Sequence, residues 1–194
     1  MVAIVKYNAG NIQSVLYAMQ RLKQEAVWTD DPAVLRSADK VIFPGVGEAS
    51  SAMRYLRERG LDAVLASLTQ PVLGICLGLQ LFCRHSEEVN TDCIGIFDTA
   101  VRRFSGAGGL KVPHMGWNTL HDLEGPLFEG VPKGSYVYFV HSYYAEQDAA
   151  TTAACTYGET FSAGMHRGNY YAVQFHPEKS GDTGQRILQN FLHL

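Results

Sequence analysis

At 194 residues the chain is long enough for one well-buried domain and too short for two large ones. A hydrophobic share of 46% against 18% charged residues excludes a disordered chain, and a net charge of −3 gives no electrostatic reason to expect nucleic acid or an anionic membrane as partner. There is no apolar run of membrane-spanning length, no signal-peptide core, and no C-x-x-C pair or zinc-ligand spacing among Cys76, Cys83, Cys93 and Cys155, so a reducing, cytoplasmic setting without a metal is expected.

Val2–Tyr7 reads as a first buried strand, and Asn11 is placed to cap a helix carrying Val15, Leu16 and Met19 on one face. Lys40–Phe43 is a second apolar run, ended by Pro44-Gly45-Val46-Gly47. Ala49–Glu58 has helical spacing, and Pro71–Ile75 is a strand leading into Cys76. This alternation predicts an α/β fold: a mostly parallel central sheet flanked by helices, with ligands bound beyond the carboxyl ends of its strands. From Val101 to Tyr171 the runs become shorter and more β-like, punctuated by Gly106, Gly108, Gly109 and Gly134, which predicts antiparallel elaborations in the second half. Ile187, Leu188, Phe191 and Leu192 fall at helical spacing within Gln185–His193, so a closing helix is expected. No repeat, low-complexity tract or linker interrupts the chain, and 1–194 is expected to be a single domain.

The chemistry gathers at two motifs. Gly74-Ile75-Cys76-Leu77-Gly78 follows an apolar strand and opens a helix, the G-x-nucleophile-x-G pattern of a strained elbow that projects a side chain from the end of a sheet. Taken alone, it is better explained by a buried structural cysteine at a strand–helix turn. The second motif is His176-Pro177-Glu178, at the end of the apolar run Tyr170–Phe175. Pro177 restrains His176 to extended backbone, where residues two apart share a side and Glu178 reaches the imidazole. A thiol, a histidine and an orienting carboxylate make a nucleophilic triad. Backbone N–H groups at Val46 or Gly47, with that of Leu77, would complete an oxyanion hole, although Pro44–Gly47 also fits a plain turn. Residue chemistry alone therefore points to a cysteine-dependent acyl-transfer enzyme.

Gly74-Ile75-Cys76-Leu77-Gly78-Leu79-Gln80 together with His176-Pro177-Glu178 resembles the class I glutamine amidotransferases. Lys111-Val112-Pro113-His114-Met115-Gly116-Trp117-Asn118, Tyr138-Phe139-Val140-His141-Ser142-Tyr143 and the opening Gly10-Asn11 narrow the resemblance to members that serve as the glutaminase subunit of a synthase in histidine biosynthesis. One departure is the opening turn Tyr7–Asn11, which lacks the acidic residue expected near position 7.

The resemblance implies a three-layer fold, L-glutamine as substrate, no cofactor, and a heterodimer with a (β/α)8-barrel cyclase subunit that receives ammonia. It makes Cys76 the nucleophile, His176 the general base and then acid, and Glu178 the orienting carboxylate. Gln80, Ser142 and Tyr143 would contact the substrate, and Glu88 would bind its α-ammonium, with an exposed surface acid as the alternative for Glu88. Asn11, His114, Met115, Trp117, Tyr138 and Lys179 would face the partner, the aromatic groups as exposed anchors; core aromatics are the alternative for Trp117 and Tyr138. His121, His141, His166 and His193 have no partner visible in the sequence. A glutaminase of a different synthase, a stand-alone cysteine hydrolase and a non-catalytic module are the rival readings. The intact set Cys76, His176 and Glu178 speaks against the last.

Overall fold

Strand and helix alternate through the first half of the computed structural model, which describes residues 1–8 and 12–194. The first half comprises β1 (Val2–Val5), α1 (Gln13–Arg21), β2 (Ala26–Thr29), α2 (Pro32–Ser37), β3 (Lys40–Gly45), α3 (Ala49–Glu58), α4 (Leu61–Ala66), β4 (Val72–Cys76) and α5 (Leu77–Phe82). Two-residue strands β5 (His85–Ser86) and β6 (Thr91–Asp92) follow, then β7 (Ala100–Arg103), β8 (His114–Thr119), β9 (Tyr136–His141) and β10 (Tyr143–Ala145). The chain closes with β11 (Thr151–Tyr157), β12 (Glu159–Arg167), β13 (Tyr170–Val173) and α6 (Gly181–His193).

The main sheet has seven strands in the order β11-β12-β13-β4-β3-β1-β2. β2, β1, β3, β4 and β13 are mutually parallel, while β12 and β11 add antiparallel at one edge. Successive residues of each central strand point to opposite faces, and both faces are dry. Ala3, Val5, Val41, Phe43 and Val72 pack against α2, α3, α4 and α5 through Leu35, Met53, Leu56, Leu65 and Phe82. Val2, Ile4, Ile42, Leu73 and Ile75 face the opposite layer, where α1, β9 and α6 contribute Met19, Phe139, Ile187 and Phe191. The fold is thus three-layered. Smaller sheets, β10-β7-β5-β6 and the β8–β9 pair, lie outside the main one.

This topology brings three chain segments to one place. β4 lies between β3 and β13, with Gly45 opposite Cys76 and both Pro44 and Val173 opposite Ile75. The segments leaving the carboxyl ends of β3, β4 and β13 therefore converge where ligands bind in parallel sheets.

Several boundaries differ from the sequence expectation. β3 runs on to Gly45, because backbone pairing with β4 continues past its apolar run. Helix α1 starts with Ile12 at its N-cap and no side-chain cap; the expected cap Asn11 lies outside the described residues. Helix α6 begins at Gly181, earlier than its apolar spacing indicates. Its first turn is polar, with Asp182 at the positive end of the helix dipole, so apolar spacing marks only the part that packs.

Candidate active site

Cys76 closes β4 with φ 54° and ψ −108°, a left-handed conformation that a non-glycine residue adopts only under constraint. The flanking glycines are required by close approach rather than by a turn. A Cβ on Gly78 would stand 2.0 Å from the Phe43 carbonyl oxygen, and one on Gly74 would stand 2.8 Å from the Phe82 ring. The elbow can therefore press against β3 and α5 only with glycine at both positions. The Cys76 Sγ lies 3.9 Å from the Val140 carbonyl oxygen and 3.7 Å from Gln174 Nε2.

His176 is extended, at φ −98° and ψ 95°, as the following proline dictates. Its Nδ1 lies 2.8 Å from Glu178 Oε1, and both side chains are almost wholly buried, at 3% and 5% exposure. The carboxylate accepts the Nδ1 proton, which leaves Nε2 for proton exchange with a thiol. Neither His176 Nε2 nor Glu178 Oε2 has a hydrogen-bond partner among the described residues. Burial opposes charge on His176, but Cys76 and then Glu178 outweigh it and hold the pKa up at about 10. The loop is anchored to β9: the Tyr138 N–H donates to Ser180 Oγ, Ser180 Oγ–H donates to the His176 carbonyl, and the His176 N–H donates to the Tyr138 carbonyl at 2.9 Å.

A cavity of about 300 Å³ opens beside the thiol. Val46, Gly47, Leu77, Gln80, Glu88, Ser142 and Tyr143 all line it with Cys76, so the structure brings together every residue expected for oxyanion and substrate contact. Gly47 has φ 116°, a backbone open to glycine alone. Glu88 is not a free surface acid: its Oε2 accepts the Ala49 N–H at 2.7 Å, at the start of α3. Burial, ahead of opposing hydrogen bonding, raises its pKa above the usual carboxylate value. Gln80 lines the cavity with only one end of its amide free. Its amide nitrogen is already committed to the Tyr143 carbonyl at 2.9 Å and Gln174 Oε1 at 3.0 Å, which leaves its oxygen as the end that can meet a substrate.

Two site residues escaped the sequence reading. Tyr7 is buried, and its hydroxyl donates to the Pro44 carbonyl at 2.8 Å, pinning the end of β3. Burial, reinforced by the neighbouring Cys76, holds the phenol protonated by raising its pKa. Gln174, fully buried, faces the thiol. A polar residue inside the otherwise apolar run Tyr170–Phe175, two before His176, was the available signal.

The expected partner-facing residues divide. Met115 and Trp117 stand 63% and 55% exposed on one face of β8, and Trp117 meets half-buried Tyr138 edge-on at 6.1 Å. Tyr136, also exposed, was not anticipated, and Lys179 is exposed beside the triad. Asn11 lies outside the described residues. His114 contradicts the expectation of an exposed anchor. Strand alternation turns it inward, 3% exposed, stacked on Tyr157 at 3.9 Å and Phe139 at 4.8 Å. Three of the histidines without evident partners do have them. His121 meets Asp122 and Thr156, His141 meets His114 and the Tyr143 carbonyl, and His166 meets the Gly168 carbonyl.

The family described as Glutamine amidotransferase class-I matches residues 5–194, nearly the whole chain. The chain belongs to the class I glutamine amidotransferases. Among relatives of this amidotransferase, the imidazole glycerol phosphate synthase subunit HisH of Bacteroides fragilis is 58% identical over 194 residues, covering 100% of this chain and 99% of that protein. The HisH proteins of Bacteroides thetaiotaomicron and Idiomarina loihiensis are 57% and 46% identical, each over 100% of this chain and over 99% and 97% of their own lengths. The amidotransferase thus falls in the HisH group. Its fold recurs in a crystal structure of a glutamine amidotransferase at TM-score 0.76 and 20% identity, covering 100% of this chain and 98% of that one. The structure of PurLQS from Thermotoga maritima matches at TM-score 0.70 and 19% identity, over 99% of this chain and 97% of that one.

Proposed function

We propose that this amidotransferase, read as one unit over 1–194, is the glutaminase subunit of imidazole glycerol phosphate synthase in histidine biosynthesis. The observation that carries the reading is the His176–Glu178 pair at 2.8 Å, just beyond the strand that pairs with the elbow strand, whose cysteine lines a cavity sized for an amino-acid amide. His176 Nε2 holds the proton drawn from Cys76, and the thiolate sulfur bonds to the side-chain amide carbon of L-glutamine. The N–H of Leu77, with that of Val46 or Gly47, holds the resulting oxyanion. As the carbon–nitrogen bond breaks, His176 returns the proton and ammonia leaves. Water, deprotonated by the same imidazole, then attacks the glutamyl thioester, and glutamate departs as the thiol is reprotonated. Gln80, Ser142 and Tyr143 hold the substrate, and Glu88 pairs with its α-ammonium.

The ammonia passes to a (β/α)8-barrel cyclase subunit bound as a heterodimer in the cytoplasm, for formation of imidazole glycerol phosphate and AICAR. Exposed Met115, Trp117 and Lys179, with half-buried Tyr138, form the docking face; large apolar groups on a rigid strand are the usual anchors of such contacts. Among the described residues, no helix is long and apolar enough to cross a membrane. Glutamine hydrolysis without an acceptor is wasteful, so the peptides of Gly45–Gly47 complete the oxyanion hole only in the complex. Gly47 is the residue whose backbone permits that reorientation. Glutamate release by the chain alone, and with the cyclase and its nucleotide ligand, tests the reading. A large increase on complex formation is expected, and full activity of the isolated chain would overturn the gating.

A further inference from the structure

The buried polar groups beyond the triad form a second continuous structure. Asn118 Nδ2 lies 3.3 Å from His114 Nε2. An amide nitrogen only donates, so His114 Nε2 accepts and its proton sits on Nδ1. Nδ1 then donates to His141 Nε2 at 2.9 Å, which puts the His141 proton on its own Nδ1, 2.7 Å from the Tyr143 carbonyl. That carbonyl also accepts one proton of Gln80 Nε2 at 2.9 Å, and Gln80 gives the other to Gln174 Oε1 at 3.0 Å. The remaining end of Gln174, Nε2, points at Cys76 Sγ from 3.7 Å. Each donor direction follows from the one before, because the carbonyl can only accept and the Asn118 nitrogen can only donate.

We infer that the neutral His114–His141 pair is a positioning device for the nucleophile: through the Tyr143 carbonyl and Gln80, it holds Gln174 with its amide N–H toward the Cys76 sulfur. His114 and His141 are opposed across the β8–β9 pair, and the Tyr157 and Phe139 rings keep His114 from rotating. A proton added to either imidazole would set N–H against N–H and break the chain of bonds. Burial holds both neutral, His114 down at about 4 and His141 at about 3. The function of the arrangement is directional. A hydrogen bond donated to sulfur favours thiolate over thiol, whereas a flipped Gln174 would present its oxygen and favour thiol. Asn118 and His114 lie on the strand that exposes Met115 and Trp117, so the order of the thiol is built from the inner face of the proposed docking strand.

The inference rests on Cys76 as the nucleophile, and its test needs neither glutamine nor a partner. Alkylation of Cys76 by iodoacetamide is followed across pH by mass spectrometry of its peptide from the whole chain. The ionisable groups around this thiol are His176, backed by Glu178, Tyr7, and Glu88 and neutral His141 across the cavity; all but His141 are left in place. Gln174→Met removes the donor, and the alkylation midpoint is expected to rise by about one pH unit. His141→Leu breaks the chain in the middle, and a rise of about half a unit is expected. His141→Asn, which again offers an acceptor and a donor, returns the midpoint toward wild type. If Gln174→Met and His141→Leu fold by near-ultraviolet circular dichroism yet titrate as wild type, the inference is wrong. Should the variants fail to fold, nitrogen-15 NMR of the native chain decides: both histidines must be neutral and protonated on Nδ1 at pH 7, and an Nε2–H tautomer or an imidazolium at either overturns the inference. A shifted thiol in a chain that never hydrolyses glutamine would sink the glutaminase reading and leave this one standing.

Discussion

Histidine is buried at two places in this molecule, and the two are held in opposite charge states. His176 has a carboxylate oxygen at 2.8 Å and Cys76 as a neighbour, and its pKa is pushed up to about 10. His141 and His114 have each other, an amide and a backbone carbonyl, and sit at about 3 and 4. Burial acts with the same sign on all three, since it always penalises the charged imidazole. The difference lies in whether an anionic group stands beside the ring. Burial therefore does not decide what a histidine does here; its partner does. In the proposed reaction the first ring exchanges protons, and in the inference above the other pair holds a fixed hydrogen-bond direction.

The comparison breaks most completely when the thiol is removed. Cys76→Ala is expected to lower glutamate release by at least about four orders of magnitude, because a nucleophile has no substitute in covalent catalysis. The cyclase should still form product from added ammonia, and both are read by product assay in the complex. Next in size is Glu178→Gln, which makes the surroundings of His176 resemble those of His141. The His176 pKa should fall, and kcat should drop about 10²- to 10⁴-fold with little change in KM, from steady-state kinetics and a histidine NMR titration.

A smaller effect sharpens the contrast through stability. The folded pKa of His141 lies below its ordinary 6.5, so its contribution is present above pH 6.5 and is lost as pH falls toward about 3. The folded pKa of His176 lies above 6.5, so its contribution is full below pH 6.5 and is lost as pH rises toward about 10. Urea denaturation across pH should show both limbs, each on the order of 2 kcal/mol. His141→Asn should flatten only the acid limb, and Glu178→Gln only the alkaline one. Parallel changes in both limbs would mean that the two sites are not electrostatically distinct.

The parts of this molecule legible in the sequence are those written in short-range pattern. Helix α3 spans Ala49–Glu58 as its spacing predicted, and the elbow and the His176–Glu178 pair are each contained within a few residues. What escaped depends on pairing between distant segments. The inward turn of His114 follows from its register against His141. The roles of Tyr7 and Gln174 depend on β1, β3, β4 and the end of β13 being brought side by side. The histidine that pairs with His141 lies 27 positions away across a strand pair, and its other partner is a backbone carbonyl, which no side-chain pattern marks. Such polar contacts carry no periodicity to read; a lone glutamine at the end of an apolar run is their only trace.

The central claim is that Cys76 carries the glutamyl group, and acid-quenched turnover of L-glutamine by the complex tests it most directly. Mass spectrometry of the digested chain should find one glutamyl group on the Cys76 peptide and none on Cys83, Cys93 or Cys155, three cysteines whose pKa values are raised chiefly by burial. Steady glutamate release with Cys76 replaced by Ala, or an adduct on any other cysteine, would contradict the account.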